Sequence, residues 1–120
     1  MQPKSQSFSY RERLHLQKDF NTVFKKGLKI DSKAVKILAY INKEQHIRRL
    51  GLVTPHKVGK AVIRNRTKRR LREIFRTNKH SLHPGLDLIF ISKPETASLN
   101  YGSLKKIILN SLESAGLYKA

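Results

Sequence analysis

Between Lys57 and Arg76 nine side chains are basic and one, Glu73, is acidic. The cations are Lys57, Lys60, Arg64, Arg66, Lys68, Arg69, Arg70, Arg72 and Arg76, with Asn65 among them. Guanidinium forks match phosphate oxygens two at a time, and ammonium groups add point charge. An amide in their midst can hydrogen-bond a base edge, a 2′-hydroxyl or a phosphate. The chemistry open to such a set is the recognition of a polyanion. A solvated helix face ordinarily alternates in sign, and this one does not. Like charges four residues apart also destabilise an isolated helix, by roughly 0.2–0.5 kcal/mol per pair, so an anion is expected to offset them.

A second constellation is aromatic. Phe20 and Phe24 stand one helical turn apart, and Lys36 and Tyr40 share one face of a predicted strand. Aromatic rings with cations nearby stack on and pair with single-stranded nucleic acid; packing of both phenylalanines in the core is the competing reading, and composition favours it.

Catalytic constellations are missing. Glu12, Asp19, Asp31, Glu44, Glu73, Asp87, Glu95 and Glu113 are scattered, with no paired carboxylates to hold two metal ions. His80 and His83 lack further ligands, and nothing organises His15, His46 and His56 into an acid–base pair. No glycine-rich phosphate loop is present. These residues predict a protein that binds and does not cut.

The whole chain agrees. Its 120 residues carry 26 Lys and Arg against 8 Asp and Glu, a formal charge of +18. With 38% hydrophobic residues it can still bury a core, so one folded domain that seeks a polyanion is expected. The absence of Cys excludes disulfides and thiolate chemistry. No apolar run could span a bilayer, and the first ten residues lack the apolar stretch of a signal peptide; a cytoplasmic protein without a membrane partner is expected. Charge alone leaves open a ribosomal protein or RNA chaperone, a major-groove DNA-binding helix, and a nuclease working through a histidine pair.

The elements that must position these residues follow from periodicity. Residues 1–12 are expected to be loose, and a single domain to run over 13–118. Phe20, Val23 and Phe24 predict a short helix over Lys18–Lys26, with Asp19 at the favourable end of its dipole and Gly27 as its stop. Val35–Ile41 reads as a strand. The polar stretch Asn42–Ile47 reads as a hairpin connection to a second strand over Arg48–Thr54, ended by Pro55. Ile63, Thr67, Leu71, Ile74 and Phe75 form the apolar stripe of a long helix over Gly59–Lys79, opposite a basic ridge of Arg64, Lys68 and Arg72. After the Pro84-Gly85 turn, Leu86–Ser92 is so continuously apolar that it should be buried on both faces. Leu104, Ile107, Ile108 and Leu112 predict a last helix over Tyr101–Ala115. Helices and strands mixed in one short chain predict an α+β fold around a small sheet.

The run Lys57-Val58-Gly59-Lys60-Ala61-Val62-Ile63-Arg64-Asn65-Arg66-Thr67-Lys68-Arg69-Arg70-Leu71-Arg72-Glu73 resembles the signature of the bacterial ribonuclease P protein subunit. Arg13-Leu14, Asp19-Phe20, Val23-Phe24-Lys25 and Gly27 resemble that family's N-terminal helix, and Arg49-Leu50-Gly51-Leu52-Val53 its second strand. The resemblance implies a two-layer α/β sandwich in which a left-handed βαβ crossover contains the Arg-rich helix. It implies a protein that assists a catalytic RNA in removing the 5′ leader of precursor tRNA, with Mg²⁺ held by the RNA and no DNA partner. Lys57, Lys60, Arg64, Asn65, Arg66, Lys68, Arg69, Arg70 and Arg72 would then face the RNA subunit. Phe20 and Phe24 fall at cleft positions for the leader, and Lys36 and Tyr40 join them. This chain departs from the family pattern at Pro55 and His56, where a Ser-Lys-Lys run is common, and at Thr67, where an aliphatic residue is usual.

Overall fold

The computed structural model describes residues 7–119, and the apolar run Leu86–Ser92 is the strand around which they are arranged. In chain order the elements are α1 (Gln17–Lys26), β1 (Leu28–Asp31), β2 (Val35–Ile41), β3 (Arg49–Val53), α2 (Ala61–Asn78), β4 (Leu86–Ser92), α3 (Pro94–Ser98) and α4 (Tyr101–Ser114). One mixed sheet has the order β1-β2-β4-β3. β4 is interior and almost wholly buried, as its composition predicts. It pairs antiparallel with β2 and parallel with β3, so α2 lies within a crossover between two neighbouring parallel strands.

The expected hairpin from β2 to β3 does not form. β4 stands between them, because a strand apolar on both sides is stable only in the middle of a sheet covered on both faces. The partner of β2 in sequence is instead β1, a strand that periodicity does not predict. Leu28 pairs with Ala39 and Asp31 with Lys36. The turn before β4 needs Gly85, whose φ of +78° suits a residue without a Cβ.

The sheet carries helices on both faces. On one, Val35, Ile37, Ala39, Leu50, Leu86, Leu88 and Phe90 pack against Leu71, Ile74 and Phe75 of α2 and Leu104, Ile108 and Leu112 of α4. Each large side chain buried there contributes about 1.5–3 kcal/mol by leaving water. On the other, Val23 of α1 and Leu14 lie against Leu38 and Ile89. Thr67 is buried in the α2 seam, and its hydroxyl donates to the Ile63 carbonyl at 2.9 Å. That bond avoids the cost of about 1–3 kcal/mol for an unpaired buried hydroxyl, so the helix docks without the aliphatic residue.

Of the segment expected to be loose, residues 1–6 lie outside the described residues. The rest of it is held to the domain. Phe8 meets Phe75 edge-on at 5.7 Å, Tyr10–Glu12 form a 3₁₀ turn, and Lys79, just after α2, bonds Glu12 at 2.5 Å and the Ser7 carbonyl.

Candidate nucleic-acid interface

The core contact of α2 runs through Thr67, Leu71, Ile74 and Phe75. At roughly 100° per residue the outermost line therefore passes through Val62, Arg66 and Arg69, with Asn65 beside it. All four are exposed. The ridge of Arg64, Lys68 and Arg72 is not the outermost line: it is a half-buried flank. Ile63, which helped set the predicted phase, is itself only half-buried. Lys57 and Lys60, in the segment before α2, are exposed, and Arg70 is half-buried on the other flank.

Two arginines on this helix brace the fold. Arg64 donates to the Gly59 carbonyl at 2.9 Å, tying down the preceding loop, and Arg70 donates to the Leu99 carbonyl at 3.0 Å. Glu73 binds Arg76 at 2.6 Å, and those hydrogen bonds hold its carboxyl below the ordinary range. The other eight cations of the run have no carboxylate partner among the described residues. No acid stands in the first turn of α2, and its N-cap residue, Lys60, makes no side-chain cap, so the positive end of the helix dipole adds to theirs.

On the far side of the sheet α1 packs over β2 and β4. Its Val23 points into the sheet, so Asp19, Thr22 and Lys26 fall on one flank and Phe20 and Phe24 on the other. The first flank borders a cavity of about 550 Å³ lined also by Tyr40, Asn42, Glu44, Arg49 and Asp87. Beyond the second flank lies the row Lys36, Ile91 and Val53, which strand register sets side by side. The structure thus brings Phe20, Phe24 and Lys36 to one side of α1 and leaves Tyr40 on the other. Phe24 is 40% exposed, whereas Phe20 packs against the Leu14–Val23–Leu38–Ile89 cluster.

Three features that position α1 were not foreseen. Arg49 grips Asp87 with two bonds of 2.8 Å and reaches Asp19 of α1 at 3.2 Å. Asp19 therefore serves as a tether as well as a dipole partner. Asp87 is 2% exposed, a burial that an ionised carboxylate tolerates only when paired. Gly51 gives Phe20 its seat: a Cβ there would stand 2.7 Å from the Phe20 Cζ. An isolated glycine inside a strand signals such a close approach, and that sign was present in the sequence. Among the described residues no three His, Asp or Glu side chains form a group that could hold a metal ion.

A family model described as Ribonuclease P matches residues 8–116. The chain belongs to the ribonuclease P protein family. The ribonuclease P protein component of Clostridium kluyveri is 33% identical over 109 residues, covering 89% of this chain and 96% of that one. The ribonuclease P protein of Staphylococcus aureus superposes with a TM-score of 0.82 at 27% identity, covering 90% of this chain and 98% of its own. That of Thermotoga maritima gives 0.73 at 35% identity, over 83% and 94%. As a family member the chain is a protein component of ribonuclease P, the RNA–protein holoenzyme that hydrolyses precursor tRNA.

Proposed function

We propose that this ribonuclease P protein meets the catalytic RNA through α2 and the segment before it, and the 5′ leader of precursor tRNA through the Phe20–Phe24 flank of α1. The observation that carries the first half is the set of eight cations, from Lys57 to Arg72, without carboxylate partners among the described residues. Arg66 and Arg69, with Asn65 between the helix turns, would lie nearest the RNA; Lys57, Lys60, Lys68 and Arg72 would flank them. Arg64 and Arg70 would act while also bracing the fold. With ~6–10 phosphates neutralised, affinity should fall by roughly 10³–10⁵ between about 50 and 200 mM salt, taking duplex DNA as the guide.

For the leader, the exposed ring of Phe24 and the cation of Lys36 support an unstacked single strand lying over the sheet face beside α1. Tyr40, across the helix, is not on that path. Holding the leader fixes the substrate's position, an orientation effect on the reaction. The Mg²⁺ of the reaction would be held by the RNA, and the chain would act in the cytoplasm; no described helix is long and apolar enough to cross a membrane.

Reconstitution tests this reading. At Mg²⁺ concentrations where a bacterial ribonuclease P RNA alone is slow, adding the protein should restore cleavage of precursor tRNA, and the protein alone should cleave nothing. Cleavage by the protein alone would favour the histidine-pair nuclease.

A further inference from the structure

Tyr10 is 69% exposed, yet its hydroxyl is not free. It lies 2.9 Å from His15 Nε2, while His15 Nδ1 lies 3.0 Å from the Arg13 carbonyl. A carbonyl only accepts, so in the neutral ring Nδ1 carries the proton and Nε2 accepts from the Tyr10 hydroxyl. The two rings, 4.5 Å apart and tilted by 39°, are thereby held together with ring surface open to solvent. Their backbone is anchored as well: the Leu14 N–H donates to the Leu50 carbonyl at 2.9 Å.

We propose that Tyr10 and His15 form a stacking ledge for one unpaired nucleobase of RNA, a site separate from both α2 and the Phe20–Phe24 flank of α1. The proposal rests on the RNA-binding function argued above. Three observations carry it. First, an aromatic pair whose polar ends are already satisfied offers a π-face without the cost of ordering it, and base stacking tolerates any sequence. Second, the surroundings are cationic: Arg11 and Arg13 are exposed beside it, and Glu12, the only acid between Ser7 and Lys18, is bound to Lys79. Third, the ledge stands between the two proposed RNA surfaces. Arg13 shares a small cavity with Arg72 of α2, and Leu14 meets the same Gly51 position that seats Phe20 of α1.

The test uses the holoenzyme with Tyr10→Ala and Tyr10→Phe, and 2-aminopurine placed at successive leader positions. Because Tyr10 is exposed, both variants should keep the wild-type circular dichroism spectrum. Tyr10→Ala is expected to weaken RNA binding about tenfold, within the range for removal of one base–aromatic stack; Tyr10→Phe, which keeps the ring, should restore most of it. A loss confined to precursor tRNA, with quenching at one leader position, assigns the base to the leader. A loss seen in assembly with the RNA subunit, equal for precursor and mature tRNA, assigns it to that subunit; either result supports the ledge. Unchanged binding of all three RNAs by Tyr10→Ala overturns it. An Arg66→Ala, Arg69→Ala protein run in parallel separates the two levels: if it loses assembly while Tyr10→Ala loses nothing, the ledge alone fails; if neither loses anything, the RNA-binding function fails with it.

Discussion

Phe20 rests on Gly51 so closely that a Cβ on the glycine would stand 2.7 Å from its ring. This seating sets the height of α1 above β3. Gly51→Ala should therefore lift α1 and cost about 1–3 kcal/mol, the usual penalty for overpacking. Urea unfolding measures it; an unchanged midpoint would mean that α1 adjusts freely and is not seated by the glycine.

The second fixture of α1 is electrostatic. Arg49→Ala leaves Asp87, with a side chain 3% exposed, without its cation. The expected loss is about 3 kcal/mol, the low end for a broken buried pair. Asp19→Asn removes only the longer, more exposed ion pair and should cost under about 1 kcal/mol. Equal losses for the two variants would show that Arg49 acts through α1 and not through Asp87.

Acid should loosen the N-terminal segment. Burial pushes the Glu12 carboxyl up, but hydrogen bonds from Lys79 and from the Ser9 N–H and hydroxyl outweigh it, and the net shift is downward from 4.5. A carboxyl with a depressed folded-state pKa stabilises the fold fully above its unfolded value and ceases to do so as pH falls through the folded one. Stability should thus decline as pH drops below 4.5. Glu12→Gln should be less stable at neutral pH and show a shallower decline; thermal unfolding across this range checks both, and parallel curves for the two proteins would contradict it.

The two phenylalanines should separate by function. Phe24 is 40% exposed and belongs to neither buried cluster, so Phe24→Ala should cost no more than about 1 kcal/mol of stability yet lower the affinity for precursor tRNA more than for mature tRNA. Phe20→Ala should cost stability too, since its ring fills the space over Gly51. Equal losses of precursor and mature tRNA by Phe24→Ala would remove Phe24 from the leader path.

The periodic elements were legible in the sequence: α1, α2 and α4 from their apolar stripes, and β2, β3 and β4 from their runs. β1 was not, because Leu28–Asp31 is a short edge strand whose residues are largely exposed, and α3 is only five residues long. The placement of β3 beside β4 could have been argued from the burial that β4 demands, but nearness along the chain pointed to β2. The basic face of α2 is legible as a set of residues but not as a surface: at roughly 100° per residue the ridge of Arg64, Lys68 and Arg72 adjoins the line of Thr67, Leu71 and Phe75 and does not oppose it. Tyr40 and Lys36 share a strand face, yet nothing in their spacing reveals that α1 lies between them. Pairings such as Arg49 with Asp87 or Glu12 with Lys79 join residues 38 and 67 positions apart, and single-chain periodicity carries no signal for them.

Assembly with the ribonuclease P RNA, measured against salt for the wild type and for Arg66→Ala with Arg69→Ala, bears most directly on α2 as the RNA-facing surface. Both arginines are exposed and make no ion pair among the described residues, so the variant should fold as before. Its affinity should fall, and its log–log salt slope should flatten by roughly 0.9 for each phosphate no longer neutralised, on the duplex-DNA scale. A slope identical to that of the wild type would contradict the assignment.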